Sequence, residues 1–131
     1  MKSLIFLAFL VAVISFSAKR SMAQFKNAKS AVVYIYGNCG MCENTIEKAG
    51  SNKFAKVNWN METKKATITY DSLKTNPDSV LKRIALAGYD NEKFRAPDEV
   101  YAKLHECCLY ERPVHTNAKP VQAEKLKKIE E

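Results

Sequence analysis

The chain has 131 residues, a formal net charge of +7 and 27 % charged residues, enough for one small domain with a tail and too few for two cores of ordinary size. Its basic residues are spread along the sequence rather than interleaved with aromatics in a patch, which argues against nucleic-acid binding and leaves the charge as an aid to solubility. Four cysteines form two close pairs, Cys39/Cys42 and Cys107/Cys108; neither pair can staple distant segments by itself, so ligand or redox roles are favoured, with a cross-link between the pairs left open.

Taken in chain order, Met1-Lys2 is basic, residues 4–16 are almost continuously apolar, and Ser21-Met22-Ala23 offers the small residues that a signal peptidase reads. Residues 1–23 are therefore expected to be a cleaved signal peptide, which implies a periplasmic or secreted protein. An uncleaved anchor is the competing reading, although the run is short of the roughly 20 residues that a span needs. Cleavage after Ala23 removes Lys2, Lys19 and Arg20 with no acid, leaving 108 residues and a charge of +4.

Residues 30–36 read as a strand with apolar side chains on both faces, Val33 and Ile35 on one and Val32, Tyr34 and Tyr36 on the other, as a central strand would have. Asn38 is the expected N-cap of a helix over 39–49, with Cys42, Ile46 and Ala49 on one stripe and Gly50 as its stop. Two alternating segments, 54–60 (Ala55, Val57 and Trp59 inward) and 65–70 (Ala66, Ile68 and Tyr70 inward), flank the polar turn 60–63 as a hairpin. Asn76-Pro77 opens a second helix with proline at its first position. Val80, Ile84 and Ala87 form its buried face, and Gly88 ends it. Residues 89–95 read as a weak fourth strand.

This β-α-β-β-α-β order predicts an α+β, ferredoxin-like sandwich over 24–96, one antiparallel sheet covered on one face by two helices. Past it, 97–112 reads as an additional helix starting at Pro97-Asp98-Glu99. Val100, Leu104 and Cys107 or Cys108 share one of its faces, and Pro113 stops it. Residues 113–131 read as a polar tail with little to pack.

The chemistry centres on Cys39-Gly40-Met41-Cys42. Two thiols at a strand–helix junction can bind a soft metal ion or exchange electrons through a disulfide. The free N–H groups of the first helical turn favour thiolates there, and Gly37 and Gly40 are expected to let the loop fold around an ion. Together with Lys56-Val57-Asn58-Trp59-Asn60, Lys65-Ala66-Thr67-Ile68-Thr69-Tyr70-Asp71 and Ile84-Ala85-Leu86-Ala87-Gly88-Tyr89, this junction resembles the heavy-metal-associated domain family over residues 31–94. That family includes copper chaperones, metal-pump modules and periplasmic mercury-binding proteins.

The resemblance implies a non-enzymatic metal carrier with Cys39 and Cys42 as ligands, Gly40 and Met41 within the metal loop, and Tyr89 beside it, either shielding the ion or only packing. It also implies Cu(I) as the leading ion, with Hg(II) on the same pair and Zn(II) only if further ligands join. The implied partners are metal-donor or metal-acceptor proteins such as a membrane transporter, or a second copy sharing one ion. One departure stands out. The family usually carries a methionine two residues before the first cysteine, packed under the loop, where this chain has Gly37.

Cys107 and Cys108, with His105, are possible additional ligands, His105 having the plainer alternative of a surface histidine. A helix running back from residue 97 would cover about 15 Å at 1.5 Å per residue, comparable to the fourth strand it retraces. It could therefore return these thiols to Cys39 and Cys42. The competing function is a thiol–disulfide oxidoreductase using the Cys39/Cys42 pair.

Overall fold

The computed structural model describes residues 25–114 and the backbone of 119–120. The expected signal segment and most of the expected tail lie outside the described residues. Strand β1 (Ala28–Tyr34) is followed by helix α1 (Gly40–Gly50), strands β2 (Ala55–Trp59) and β3 (Lys65–Asp71), helix α2 (Pro77–Leu86), the two-residue strand β4 (Phe94–Arg95), a single turn of helix α3 (Asp98–Tyr101), a 3₁₀ turn (Glu106–Cys108) and strand β5 (Lys119–Pro120). The fold is α+β, and its main sheet is antiparallel in the order β1-β3-β2. Among the described residues no helix is long and apolar enough to cross a membrane.

The hairpin follows directly from sequence alternation. Ala55, Val57, Trp59, Ala66 and Ile68 are buried while their neighbours in the strands face solvent, as a period of two requires when only one face is covered. Asn60 shapes the turn by accepting from the backbone N–H of Glu62 and Thr63, and Lys64 takes the left-handed conformation that closes it. In β1 the same period buries Val33 and leaves Val32 exposed. The apolar outer face expected of that strand is thus mostly open to solvent.

Both helices bury one stripe on this sheet. Helix α2 is capped by Asn76, whose side chain accepts from Ser79 N–H at 2.9 Å, and Pro77 opens it. It buries Val80, Leu81, Ile84 and Ala85, whereas Ala87 is only half-buried. Gly88 (φ 104°) ends the helix in a conformation that suits glycine. Gly50 does not stop α1 as expected; it is the last helical residue, and its missing side chain makes room for the neighbouring elements. A Cβ there would lie 2.5 Å from Val57 Cγ2 and 2.9 Å from Ile84 Cδ1.

Three regions depart from the expected pattern. The fourth strand shrinks to a single antiparallel bridge, Ile35 with Asn91, supported by Tyr36 N–H to Asp90 O at 2.9 Å. It lies along β1 on the edge away from β3, which is the ferredoxin-like position. Phe94–Arg95 pairs instead, in parallel, with Lys119–Pro120 from the stretch expected to be a tail. The C-terminal helix is also broken: α3 ends at Tyr101, and the chain then turns before the 3₁₀ turn. The cause is visible in burial. Cys108 and Tyr110 are both buried with exposed Leu109 between them, an extended spacing that no α-helix provides.

The broken segment nevertheless packs into the main core. Leu104 lies over Gly88, and the Tyr110 ring stacks between Tyr36 and Tyr89 at centroid distances of 6.1 and 6.2 Å. The Tyr110 hydroxyl donates to Gly88 O (2.9 Å) and accepts from Asp90 N–H (2.7 Å). Arg112 then grips the fully buried Asp90 carboxylate with Nε (2.8 Å) and Nη2 (2.7 Å). The same guanidinium reaches Ala96 O (2.8 Å) and Asp98 (2.6 Å).

Candidate metal centre

The site forms where the end of β1 meets the start of α1. Cys39, not Asn38, is the residue that caps the helix, with extended backbone (φ −144°, ψ 174°). Its sulfur therefore lies at the positive end of α1, while Cys42, one turn in, points into the core and is fully buried. Asn38 contributes its backbone N–H to Cys42 Sγ at 3.4 Å.

The returning C-terminal segment completes the site. Cys39 Sγ lies 3.4 Å from Cys42 Sγ, 3.1 Å from Cys107 Sγ and 3.7 Å from Cys108 Sγ, and all four thiols are free. Cys39, Cys42 and Cys108 have their sulfurs within 4.8 Å of one another. Cys108 is buried, whereas Cys107 is exposed at the rim. Metal–sulfur bonds of about 2.3 Å separate coordinated sulfurs by about 3.8–4.0 Å in tetrahedral or trigonal geometry, so small adjustments would let these thiols converge on one ion. The two pairs thus meet as expected, although a 3₁₀ turn rather than a long helix delivers the second.

The four thiols are electrostatically unequal. Cys39 is drawn down to about 6, chiefly by the hydrogen bond from the Cys107 thiol and against the effect of burial, with further help from Cys42 and Cys108. Burial pushes Cys42 up to about 11. Cys107 is raised because its proton is held by Cys39, and Cys108 because it is buried. Near neutral pH the cluster is one thiolate, centred on Cys39, solvated by three neutral thiols. Iodoacetamide should therefore modify Cys39 with half-maximal rate near pH 6, ahead of the other three. Peptide mapping after a brief pulse at several pH values checks this order.

The remaining expected site residues take different places. Tyr89 is buried beside the cluster, its hydroxyl interacting with Cys108 and Thr45, and burial raises its ionisation well above the ordinary phenol range. Met41 is half-exposed, with Sδ 3.6 Å from Cys107 Sγ. His105 caps the 3₁₀ turn, Nδ1 accepting from Cys107 N–H at 3.4 Å, and does not join the group of Cys39, Cys42 and Cys108.

The glycines do not act as expected. Neither Gly37 nor Gly40 has a positive φ, and a Cβ on Gly40 would meet nothing within 4 Å. Gly37 is closely packed, since its Cβ would stand 3.1 Å from the Trp59 ring and 3.2 Å from Cys42 Cβ. Trp59, buried and anchored by Nε1–H to Ile35 O at 3.1 Å, fills the volume under the cysteine loop. The sequence signal was a lone tryptophan at an inward strand position together with glycine where a bulky residue was expected. Gly37→Ala should lower stability by about 1–3 kcal/mol through overpacking, while Gly40→Ala should not destabilise. Thermal melts of the two variants make the comparison.

Fold and site together define a small α+β protein that presents a cluster of cysteine thiols at one end of its sheet. No family model matches the chain, and no curated protein sequence matches it. Among solved structures it is similar to a CopZ metallochaperone at 24 % identity and a TM-score of 0.46, covering 48 % of this chain and 98 % of that one.

Proposed function

We propose that this protein captures a soft metal ion, foremost Cu(I), on the thiolates of Cys39, Cys42 and Cys108 and passes it on by ligand exchange. One observation carries the reading: these three sulfurs stand within 4.8 Å of one another although Cys39 and Cys108 are 69 residues apart in the chain. Sulfur-only donors suit Cu(I) and Hg(II), and thiolate or thioether ligands select Cu(I) over harder ions. Cys39, already a thiolate near neutral pH, is the first ligand to engage. Each further thiol that joins releases its proton to solvent, so capture strengthens as pH rises.

Transfer is a stepwise exchange in which an incoming partner thiolate replaces one of the three, so the ion never leaves sulfur. The recipient or donor is a metal-handling protein such as a membrane transporter. The apolar leader read in residues 1–23 supports a location in the periplasm or outside the cell. The protein performs no chemistry of its own on this reading.

Anaerobic titration of the reduced protein with Cu(I), Hg(II) and Zn(II) against competing chelators tests it. Tight uptake of Cu(I) with appearance of thiolate-to-copper charge-transfer absorption is expected, with Zn(II) displaced by Cu(I). Failure to retain any soft ion against a weak chelator would end this reading. A second reading has a specific observation behind it, since a low-pKa Cys39 beside buried Cys42 also suits disulfide exchange. Insulin reduction at rates well above free dithiol would favour that reading instead.

A further inference from the structure

Three sulfurs of the cluster are left over or shared once an ion sits on Cys39, Cys42 and Cys108. Cys107 Sγ is exposed and lies 3.1 Å from Cys39 Sγ. Met41 Sδ stands 3.6 Å from the same Cys107 sulfur. Met41 belongs to the first turn of α1 and is 50 % exposed, and its thioether accepts from the Cys107 thiol. Cys39 has a particular place in this arrangement, because its sulfur lies within 3.7 Å of all three other thiols. A thiolate has lone pairs enough to bridge two soft ions, and a thioether is a soft neutral ligand that favours Cu(I).

Resting on the function proposed above, we infer a second, outer Cu(I) site made by Cys39, Cys107 and Met41, with Cys39 Sγ bridging it to the inner ion. The inner ion takes three thiolates, two of them from buried residues. The outer ion takes one shared thiolate, one exposed thiolate and an uncharged thioether, and faces solvent. Its donor set is the weaker, so it fills second and empties first. It is also the position that a partner protein reaches without opening the core. Thiol protons displaced by the two ions go to solvent, and neither copper nor sulfur changes oxidation state.

Native mass spectrometry of the reduced full chain, loaded anaerobically with Cu(I) and followed by chelator competition, tests the inference. The wild-type monomer should carry two Cu(I), the second removed by chelator before the first. Cys107→Ser and Met41→Leu, both at exposed positions where folding is little at risk, should each carry one and retain the inner equivalent. A wild-type monomer that saturates at one Cu(I) overturns the outer site and leaves the inner one standing, as does retention of two by either variant. A second equivalent found only in dimers overturns it as well, by assigning that ion to a site between copies. If the wild-type protein holds no Cu(I), the proposed function falls together with it.

Discussion

Cys39→Ser should abolish tight Cu(I) retention, whereas Cys42→Ser and Cys108→Ser should weaken it while leaving measurable binding. The ranking follows from the sulfur positions. Cys39 is the thiol near all the others and the one already ionised near neutral pH, so its loss removes both the centre of the cluster and its resting charge. Cys42 and Cys108 would each supply one ligand from the buried side, where both lie. Loss of a mere outer-shell partner commonly costs about 10–100-fold in metal affinity, and removal of Cys39 should exceed that range. Chelator competition on the three serine variants measures the order. Equal losses at all three positions would contradict the central role of Cys39.

Arg112→Ala should have the largest effect on stability of any single change outside the hydrophobic core. Asp90 is fully buried and Arg112 only 13 % exposed, and the pair is bidentate at 2.7 and 2.8 Å. Asp90 also accepts from Ala96 N–H at 2.7 Å, so it ties two loops together. Removing one partner of such a pair leaves a charge stranded in the interior and costs about 3–5 kcal/mol. For a domain of this size the melting midpoint should fall by at least roughly 10 °C. Arg112→Lys should rescue little, because a lysine cannot reproduce the fork that meets both carboxylate oxygens. Since the grip holds the segment carrying Cys107 and Cys108, Arg112→Ala should also reduce Cu(I) affinity, and limited proteolysis should cut first within residues 97–112.

Those two predictions separate what periodicity could reveal from what it could not. The hairpin, both long helices and the Asn76 cap are local matters, set by alternation, by apolar stripes and by one side chain reaching three residues ahead. Val57, Ile68, Val80 and Ile84 read as inward from alternation and stripe alone, and they are buried. The path of residues 97–112 is not local. Val100, Leu104 and Cys108 suggested a helical stripe, but Tyr110 is drawn into a cage of tyrosines and Arg112 to Asp90, and these long-range contacts outweigh a short helix that would be marginal by itself.

The fourth strand falls short of its expected length for a similar reason. Asp90 and Asn91 are buried to make specific hydrogen bonds, Asn91 donating to Leu81 O and accepting from Phe94 N–H, which holds their pairing with β1 to a single bridge. Within the site, the meeting of the two cysteine pairs was legible from distances along the fold. The exchange of bulk between Gly37 and Trp59 has a sequence signal at each position but none that links them, because the two become neighbours only after folding.

The folded-back segment gives the cluster a mechanical meaning as well as a chemical one. Cys39 and Cys42 lie near the start of the described chain and Cys108 near its end, so an ion gripping all three, as proposed, would act as a removable rivet closing a loop of some 69 residues. Closing a loop of that length restricts the unfolded chain, and a ligand that favours the native state adds to its stability in proportion to its grip. The loaded protein is therefore expected to be the sturdier one. On the proposed function, delivery of the ion would return the protein to a looser form, cargo and fold holding one another in place for as long as the ion is aboard.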